Sequence, residues 1–196
     1  MIYDYILNSI PYMVCSIPLY SIIRFVILIL KKHRQKNWLH ELGLFLFVMY
    51  CVGVASQTFI PKIEFGNTSS YILNQNIFGE INFIPGKVVF DTYNEINTYN
   101  NYIYFVINII GNVCIFIPIG FFISVLWRNI SVKKIVLIAL FMSLCIELLQ
   151  LPQARGTDID DLWLNMLGAL IGYLIYILLS KAPSIQNIFY KFRVKQ

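Results

Sequence analysis

Five long apolar runs constrain the fold of this chain more than any other feature. They cover about residues 5–30, 42–60, 103–127, 135–151 and 162–179. A helix of about 20 apolar residues crosses the hydrocarbon core of a bilayer, and a backbone inside lipid has to form its hydrogen bonds within its own helix. The runs therefore predict an all-α, polytopic membrane helix bundle with five transmembrane spans. The alternative is a four-span core whose first run lies in the membrane interface.

The composition fits lipid surroundings better than water. Hydrophobic residues make up 58% of the chain and charged residues 13%, against about 45–50% and about 25% in soluble domains. Each of the four cysteines lies alone inside an apolar run. We therefore expect neither a disulfide framework nor a zinc site.

Basic residues are concentrated in three segments, and this sets the predicted orientation. The segments are residues 31–36, 128–134 and 181–196. Because Lys and Arg mark the cytoplasmic side of a membrane protein, we expect a multi-pass cell-membrane protein with its N-terminus outside and its C-terminus in the cytoplasm. Membrane lipids are the expected partners, and nucleic acid is not. Arg24, near the end of the first run, is interpreted as a side chain that snorkels to the inner interface.

The remaining segments follow from this topology. Residues 1–61 hold two N-terminal spans and a basic linker, and residues 62–101 form one long extracytoplasmic loop. A further region, residues 81–180, begins within this loop and includes three spans. Residues 181–196 form a basic cytoplasmic tail. Within the loop, Thr92 and Glu95 match a capping box, which predicts the start of a short amphipathic helix.

Polar side chains interrupt three of the apolar runs at a similar depth. Asn108 and Asn112 share one face of the third run, and a charged turn joins the last two runs. At about 1.5 Å per residue, the third, fourth and fifth runs place polar side chains at one level in the outer half of the bilayer. These side chains are Asn108, Asn112, Glu147 and Asn165. The candidate binding residues are Asn108, Asn112, Glu147, Gln150, Arg155, Asp158, Asp160, Asp161 and Asn165.

Two interpretations of these residues stay open. A charged group within a bilayer costs about 2.5–3.5 kcal/mol or more unless it is paired or hydrated, which makes such groups functional by default. Arg155 or the neighbouring amides are natural partners for Glu147. Alternatively, the amides only join helices, and Asp158 only caps the helix that follows it. The spacing of Gly168 and Gly172 fits close helix packing.

The second half of the chain, about residues 81–176, resembles the VanZ-like family. The matching pieces are Asn108-x-x-x-Asn112 leading into Phe116-Ile117-Pro118-Ile119-Gly120, then Glu147-Leu-Leu-Gln150, Arg155-Gly-Thr-Asp158-Ile-Asp160-Asp161, and Asn165-x-x-Gly168-x-x-x-Gly172. Asn82-Phe83-Ile84-Pro85 is similar to the upstream element of the family, although Gly86 stands where Phe is usual. The resemblance implies a small integral membrane protein of the bacterial cell envelope. The founding member is associated with teicoplanin resistance, and no reaction is implied.

Two functional classes fit these residues. In the first, a binding or envelope-modifying protein holds a lipid-linked cell-wall precursor or a lipoglycopeptide at its polar site and changes susceptibility to teicoplanin. In the second, a membrane-embedded enzyme acts on a lipid-linked phosphate or sugar, with Glu147, Asp158 and Asp161 as candidate catalytic or metal-binding residues. No cofactor is expected unless these carboxylates hold a divalent cation. A small transporter subunit is a third hypothesis, weakened because the chain shows no internal repeat.

Overall fold

The computed structural model describes residues 2–30, 37–58, 81–151 and 157–193, and helices dominate this part of the chain. The helices are α1 (Ile2–Leu30), α2 (Trp38–Thr58), α3 (Lys87–Tyr99), α4 (Tyr102–Phe105), α5 (Asn112–Leu126), α6 (Val132–Gln150), α7 (Ile159–Ser180) and α8 (Pro183–Phe192). A π-helical segment, Val106–Gly111, joins α4 to α5. Two short parallel strands, β1 (Ile81–Asn82) and β2 (Thr157–Asp158), pair Ile81 with Thr157 and Asn82 with Asp158.

The predicted all-α, polytopic bundle is confirmed. Within the described residues, four helical stretches are long and apolar enough to cross a membrane: Leu7–Leu30, Trp38–Thr58, Tyr102–Leu126 and Ile159–Ser180. The fourth predicted run corresponds to the 19-residue helix α6, which carries Lys133 and Lys134 at its start and Glu147 near its end. The five-span prediction therefore depends on α6. The orientation in the membrane stays a prediction.

Helices α5 and α7 pack with their backbones in direct contact. A Cβ atom built on Gly120 would lie 2.0 Å from the carbonyl oxygen of Ala169, and one on Gly172 would lie 2.0 Å from that of Ile117. At Gly168 the corresponding distance, to the carbonyl oxygen of Val113, is 2.1 Å. Only glycine fits at these three positions, so the predicted packing role of Gly168 and Gly172 is confirmed.

The apolar core lies beside this contact. Phe116, Ile119 and Ile123 of α5 are buried against Ile135 and Ala139 of α6. Helix α1 packs against α2 at the edge of the bundle, and none of its apolar window is buried. Its exposed side chains are therefore available to lipid.

The two ends of the bundle differ in chemistry. At one end the Gln150 amide Nε2 donates to the Thr58 carbonyl oxygen at 3.0 Å, and the backbone N–H of Asp158, just before α7, donates to the Glu147 carboxylate. We call it the polar end. At the other, the Asn37 amide Nδ2 donates to the carbonyl oxygens of Lys191 (2.7 Å) and Arg193 (2.6 Å), which joins the start of α2 to the end of α8. This second end also holds the basic segment 128–134, and we call it the basic end.

Arg24, interpreted as a snorkelling side chain, has a partner in the protein that the sequence did not indicate. Its Nη2 donates to the Glu41 Oε1 at 2.6 Å, and its Nε donates to the other carboxylate oxygen. The resulting ion pair joins α1 to α2, with about a fifth of each side chain exposed. A bidentate pair of this kind is stronger than a single exposed contact, so Arg24 fixes α1 on the bundle.

Two local predictions were wrong or incomplete. The capping box at Thr92 was wrong because α3 begins at Lys87, after Gly86, and Thr92 lies buried inside the helix. Gly86 has φ +82, a left-handed conformation that glycine adopts at little cost. The tail, expected only as a basic segment, contains the amphipathic helix α8, whose Phe189 is buried.

The glycine contact between α5 and α7 can be tested with single methyl groups. We expect Gly168→Ala and Gly172→Ala each to lower the melting temperature in detergent clearly, because overpacking costs about 1–3 kcal/mol and the obstructing atoms are backbone. Gly111→Ala is the matched control, since its nearest neighbour would be 3.5 Å away. Melting temperatures of Gly168→Ala and Gly172→Ala equal to that of Gly111→Ala would contradict this packing.

Candidate functional site

Asp160 anchors the start of α3. Its carboxylate is fully buried. Oδ1 accepts from the backbone N–H of Gly86 at 2.7 Å and Oδ2 from that of Val88 at 2.9 Å. The Trp163 indole Nε1 donates to Oδ1 at 2.8 Å. Since the first N–H groups of a helix have no partner within the helix, Asp160 serves as the N-terminal cap of α3 from another element.

Asp158 joins three elements of the polar end. Its Oδ1 accepts from the backbone N–H of Asp160 and from the Asn82 amide Nδ2, both at 2.9 Å. Its own backbone N–H donates to the Glu147 Oε2 at 3.1 Å. Asp158 therefore caps α7, as one of the two interpretations expected, and also holds β1 and α6 in place.

Asn112 and Asp161 bring α5 and α7 together. The Asn112 amide donates one hydrogen bond to an Asp161 carboxylate oxygen and another, at 3.0 Å, to the Asn108 carbonyl oxygen. The Asn108 amide donates to the Tyr104 carbonyl oxygen at 3.0 Å. Asn112, expected as a partner for Glu147, donates to Asp161 instead. Asn108, expected in the same role, donates to the backbone of its own span.

Helices α6 and α7 share a second polar contact one turn deeper. The Asn165 amide Nδ2 donates to the Ser143 hydroxyl at 2.8 Å, and both residues are buried. The Asn165 Oδ1 is buried, and no group of the described residues donates a hydrogen bond to it. Ser143 and Asn165 come four residues before Glu147 and four after Asp161, respectively. The Ser143–Asn165 pair therefore lies one helical turn from these two carboxylates, on the same faces of α6 and α7.

The structure thus gathers most of the predicted residues at the polar end. One connected region holds six of them: Asn112, Glu147, Asp158, Asp160, Asp161 and Asn165. Gln150 lies beside this region, where it donates to α2. Arg155 lies outside the described residues. Asp161 interacts electrostatically with the carboxylates of Glu147, Asp158 and Asp160, and no Lys or Arg of the described ranges pairs with these acids. We call Glu147, Asp158, Asp161 and their amide partners the acid site.

No metal centre is evident in the part of the chain that the structure describes. No group of three or more His, Cys, Asp or Glu side chains there has an arrangement that could hold a metal ion. The carboxylates of Asp158 and Asp160 already accept hydrogen bonds from neighbouring N–H groups. The cation predicted at Glu147, Asp158 and Asp161 stays a prediction without support from this geometry.

Several residues of the site were not singled out from the sequence. Ser143 and Trp163 lie inside apolar runs, and the backbone N–H groups of Gly86 and Val88 have no side-chain signal. The parallel pairing of β1 with β2 explains why Asn82 belongs to the site. Its place in the Asn82-Phe83-Ile84-Pro85 element was the one signal that could have found it.

The cap on α3 makes a local prediction. We expect Asp160→Ala to raise the hydrogen–deuterium exchange of residues 87–99 strongly, because each buried donor left without an acceptor costs about 1–3 kcal/mol. Asp91→Asn, which removes a charge from α3 itself, should leave exchange near the wild-type level. Protection of α3 that survives Asp160→Ala would show that other contacts hold the helix.

Comparison with known proteins agrees with this geometry. A family model described as VanZ/LLP1 matches residues 47–180. No curated protein and no solved structure matches the chain. The matched stretch covers more than half of the chain and includes α5, α6, α7 and all of the acid site. The chain therefore belongs to the VanZ/LLP1 family.

Proposed function

We propose that this protein acts in the bacterial cell envelope by binding the polar head of an envelope lipid, or of a lipid-linked cell-wall precursor, at the acid site. Binding there would alter the outer surface and lower susceptibility to glycopeptides of the teicoplanin type. The observation that carries the proposal is the meeting of Asn112, Glu147 and Asp161, from three helices of the bundle, at one place where Glu147 is buried and the other two are half-buried.

The hydrogen-bonding capacity of the site supports a particular ligand chemistry. Among the described residues, the amides of Asn82 and Asn112 are already engaged with carboxylates. One oxygen each of Glu147 and Asp161, and the Oδ1 of Asn165, accept no hydrogen bond from those residues. A ligand at this place would therefore supply donors. Sugar hydroxyls or an ammonium group meet that need better than a bare phosphate does.

The position of the site supports a lipid-borne ligand. The acid site lies at the start of α7 and near the end of α6, so its carboxylates sit within about one helical turn of the helix ends. A head group at this depth can bind while its tails stay between the apolar outer faces of the helices. Exposed Leu144 and Leu148 of α6 and Leu167 of α7 offer such faces.

Drug susceptibility tests the function directly. We expect expression of the wild type in a susceptible Gram-positive host to raise the minimal inhibitory concentration of teicoplanin several-fold, and Glu147→Gln or Asp161→Asn to abolish the increase. Both substitutions keep an acceptor for the hydrogen bond from Asp158 or Asn112, so the fold should persist. Glu95→Gln, on α3, is the control for an acid outside the site.

Interpretation of that assay depends on protein level. Membrane amounts of each variant, measured by immunoblot, should equal the wild type. A wild-type protein that is present in the membrane but leaves susceptibility unchanged would refute the proposed role in resistance.

Lipid analysis tests the binding step separately. Extraction and mass spectrometry of the purified protein should show an envelope lipid with a hydroxyl- or amine-bearing head, enriched over the bulk membrane. In Glu147→Gln this enrichment should fall several-fold, because the amide brings an N–H donor where the ligand also presents one. Equal lipid profiles for wild type, Glu147→Gln and Glu95→Gln would argue against binding at the acid site.

A further inference from the structure

Helix α3 and the turn before it expose large apolar side chains. Phe83 is 72% exposed, Phe90 64% and Tyr93 66%, and Ile84 and Val89 are more than half exposed. Water-soluble surfaces seldom carry so many neighbouring apolar groups. These five residues, which we call the α3 apolar face, therefore need a partner.

The helix has three sides rather than two. At 100° per residue, Val88 and Thr92 form the side that is buried against the bundle. The α3 apolar face continues from this side through Val89, Tyr93 and Phe90, and the exposed Asn97 near the end of the helix lies between the last two. The third side carries the polar, exposed Asn94 and Thr98. A helix with one side on protein, one on lipid and one on water has this pattern.

The surroundings of α3 favour lipid as the partner. The helix contacts α4 and the π-helical segment, which begin the span Tyr102–Leu126. Ile103, Val106 and Ile107 at the start of that span are exposed. Helix α3 thus adjoins the start of a candidate membrane span that exposes apolar side chains of its own. Exposed Tyr99 and Tyr102 lie between the two, where membrane proteins place aromatic side chains at the interface.

We propose that α3 lies in the head-group region of the leaflet at the polar end, with its apolar face inserted at the boundary of the acyl chains. The partner is the lipid surface itself, not a second copy of the chain. Asp160 holds the start of this helix, so the depth of α3 fixes the level of the acid site relative to the head groups. This placement does not depend on the function proposed above.

Site-directed spin labelling tests the placement. Single cysteines at positions 90 and 93, and controls at 94 and 98, are introduced into a full-length chain whose four native cysteines are replaced by alanine. The labelled proteins are reconstituted in phosphatidylcholine–phosphatidylglycerol vesicles. We expect the ratio of collision rates with oxygen to those with a water-soluble nickel chelate to be several-fold higher at 90 and 93 than at 94 and 98.

Two results would overturn the proposal. Labels at 90 and 93 that meet the nickel chelate as often as those at 94 and 98 would place the face in water. Labels at 90 and 93 shielded from both reagents would place it against protein, as in a dimer. If the cysteine-free chain does not fold, Phe90→Trp and Asn94→Trp in the wild-type background give the same comparison. Brominated lipid should then quench the added tryptophan at 90 and not the one at 94.

Discussion

The polar groups buried at the polar end have to form hydrogen bonds with one another, and the arrangement of the surrounding elements depends on these bonds. The Asp160 carboxylate accepts from two backbone N–H groups at the start of α3 and from the Trp163 indole. Each of these donors would lose about 1–3 kcal/mol if it were buried without an acceptor. The start of α3 and the start of α7 are therefore held together through Asp160. Strand pairing of Asn82 with Asp158 follows from the same constraint.

The close packing of α5 against α7 sets the distance across which the polar side chains of these two helices meet. Gly168 and Gly172 let α7 approach the backbone of α5 more closely than any side chain allows. Asp161 lies two turns before Gly168 on the same side of α7, and Asn112 lies at the start of α5. The short reach of an asparagine to an aspartate across two helices is possible because the glycines set the distance. A stripe of small residues therefore positions the acid site without touching a ligand.

Hydropathy predicted the helical spans to within a few residues, because the cost of an unpaired backbone in lipid leaves few alternatives. Depth along each span also placed polar groups of three runs at one level, namely Asn108, Asn112, Glu147 and Asn165. Neither hydropathy nor depth predicts which residues pair over long sequence distances. Gly86 and Asp160 are 74 residues apart, and the donor is a backbone N–H, which every residue except proline has.

Local motifs failed where tertiary contacts replaced them. Thr92 and Glu95 fit a capping box, yet Asp160 supplies the cap of α3 from another element, and the helix starts earlier. The π-helical segment changed the geometry around Asn108 in a manner that α-helical spacing does not reveal. Arg24 and Glu41 lie 17 residues apart with a basic linker between them, so helical spacing gives no sign of their ion pair.

The four acids of the charged turn and α6 divide into two groups by what they already bind. Asp160 accepts three hydrogen bonds and could contact a ligand only if α3 came away from the bundle. Asp158 is engaged in capping α7 and in holding Asn82.

Glu147 and Asp161 each accept one hydrogen bond from the described residues, and these bonds come from groups that are themselves fixed. The Asn112 amide is fixed because its second hydrogen is donated to the Asn108 carbonyl oxygen within the π-helical segment. An irregular turn in the third span thus orients the Asp161 carboxylate, whose second oxygen accepts no hydrogen bond from the described residues. Single π-helical turns of this kind are frequent at functional sites.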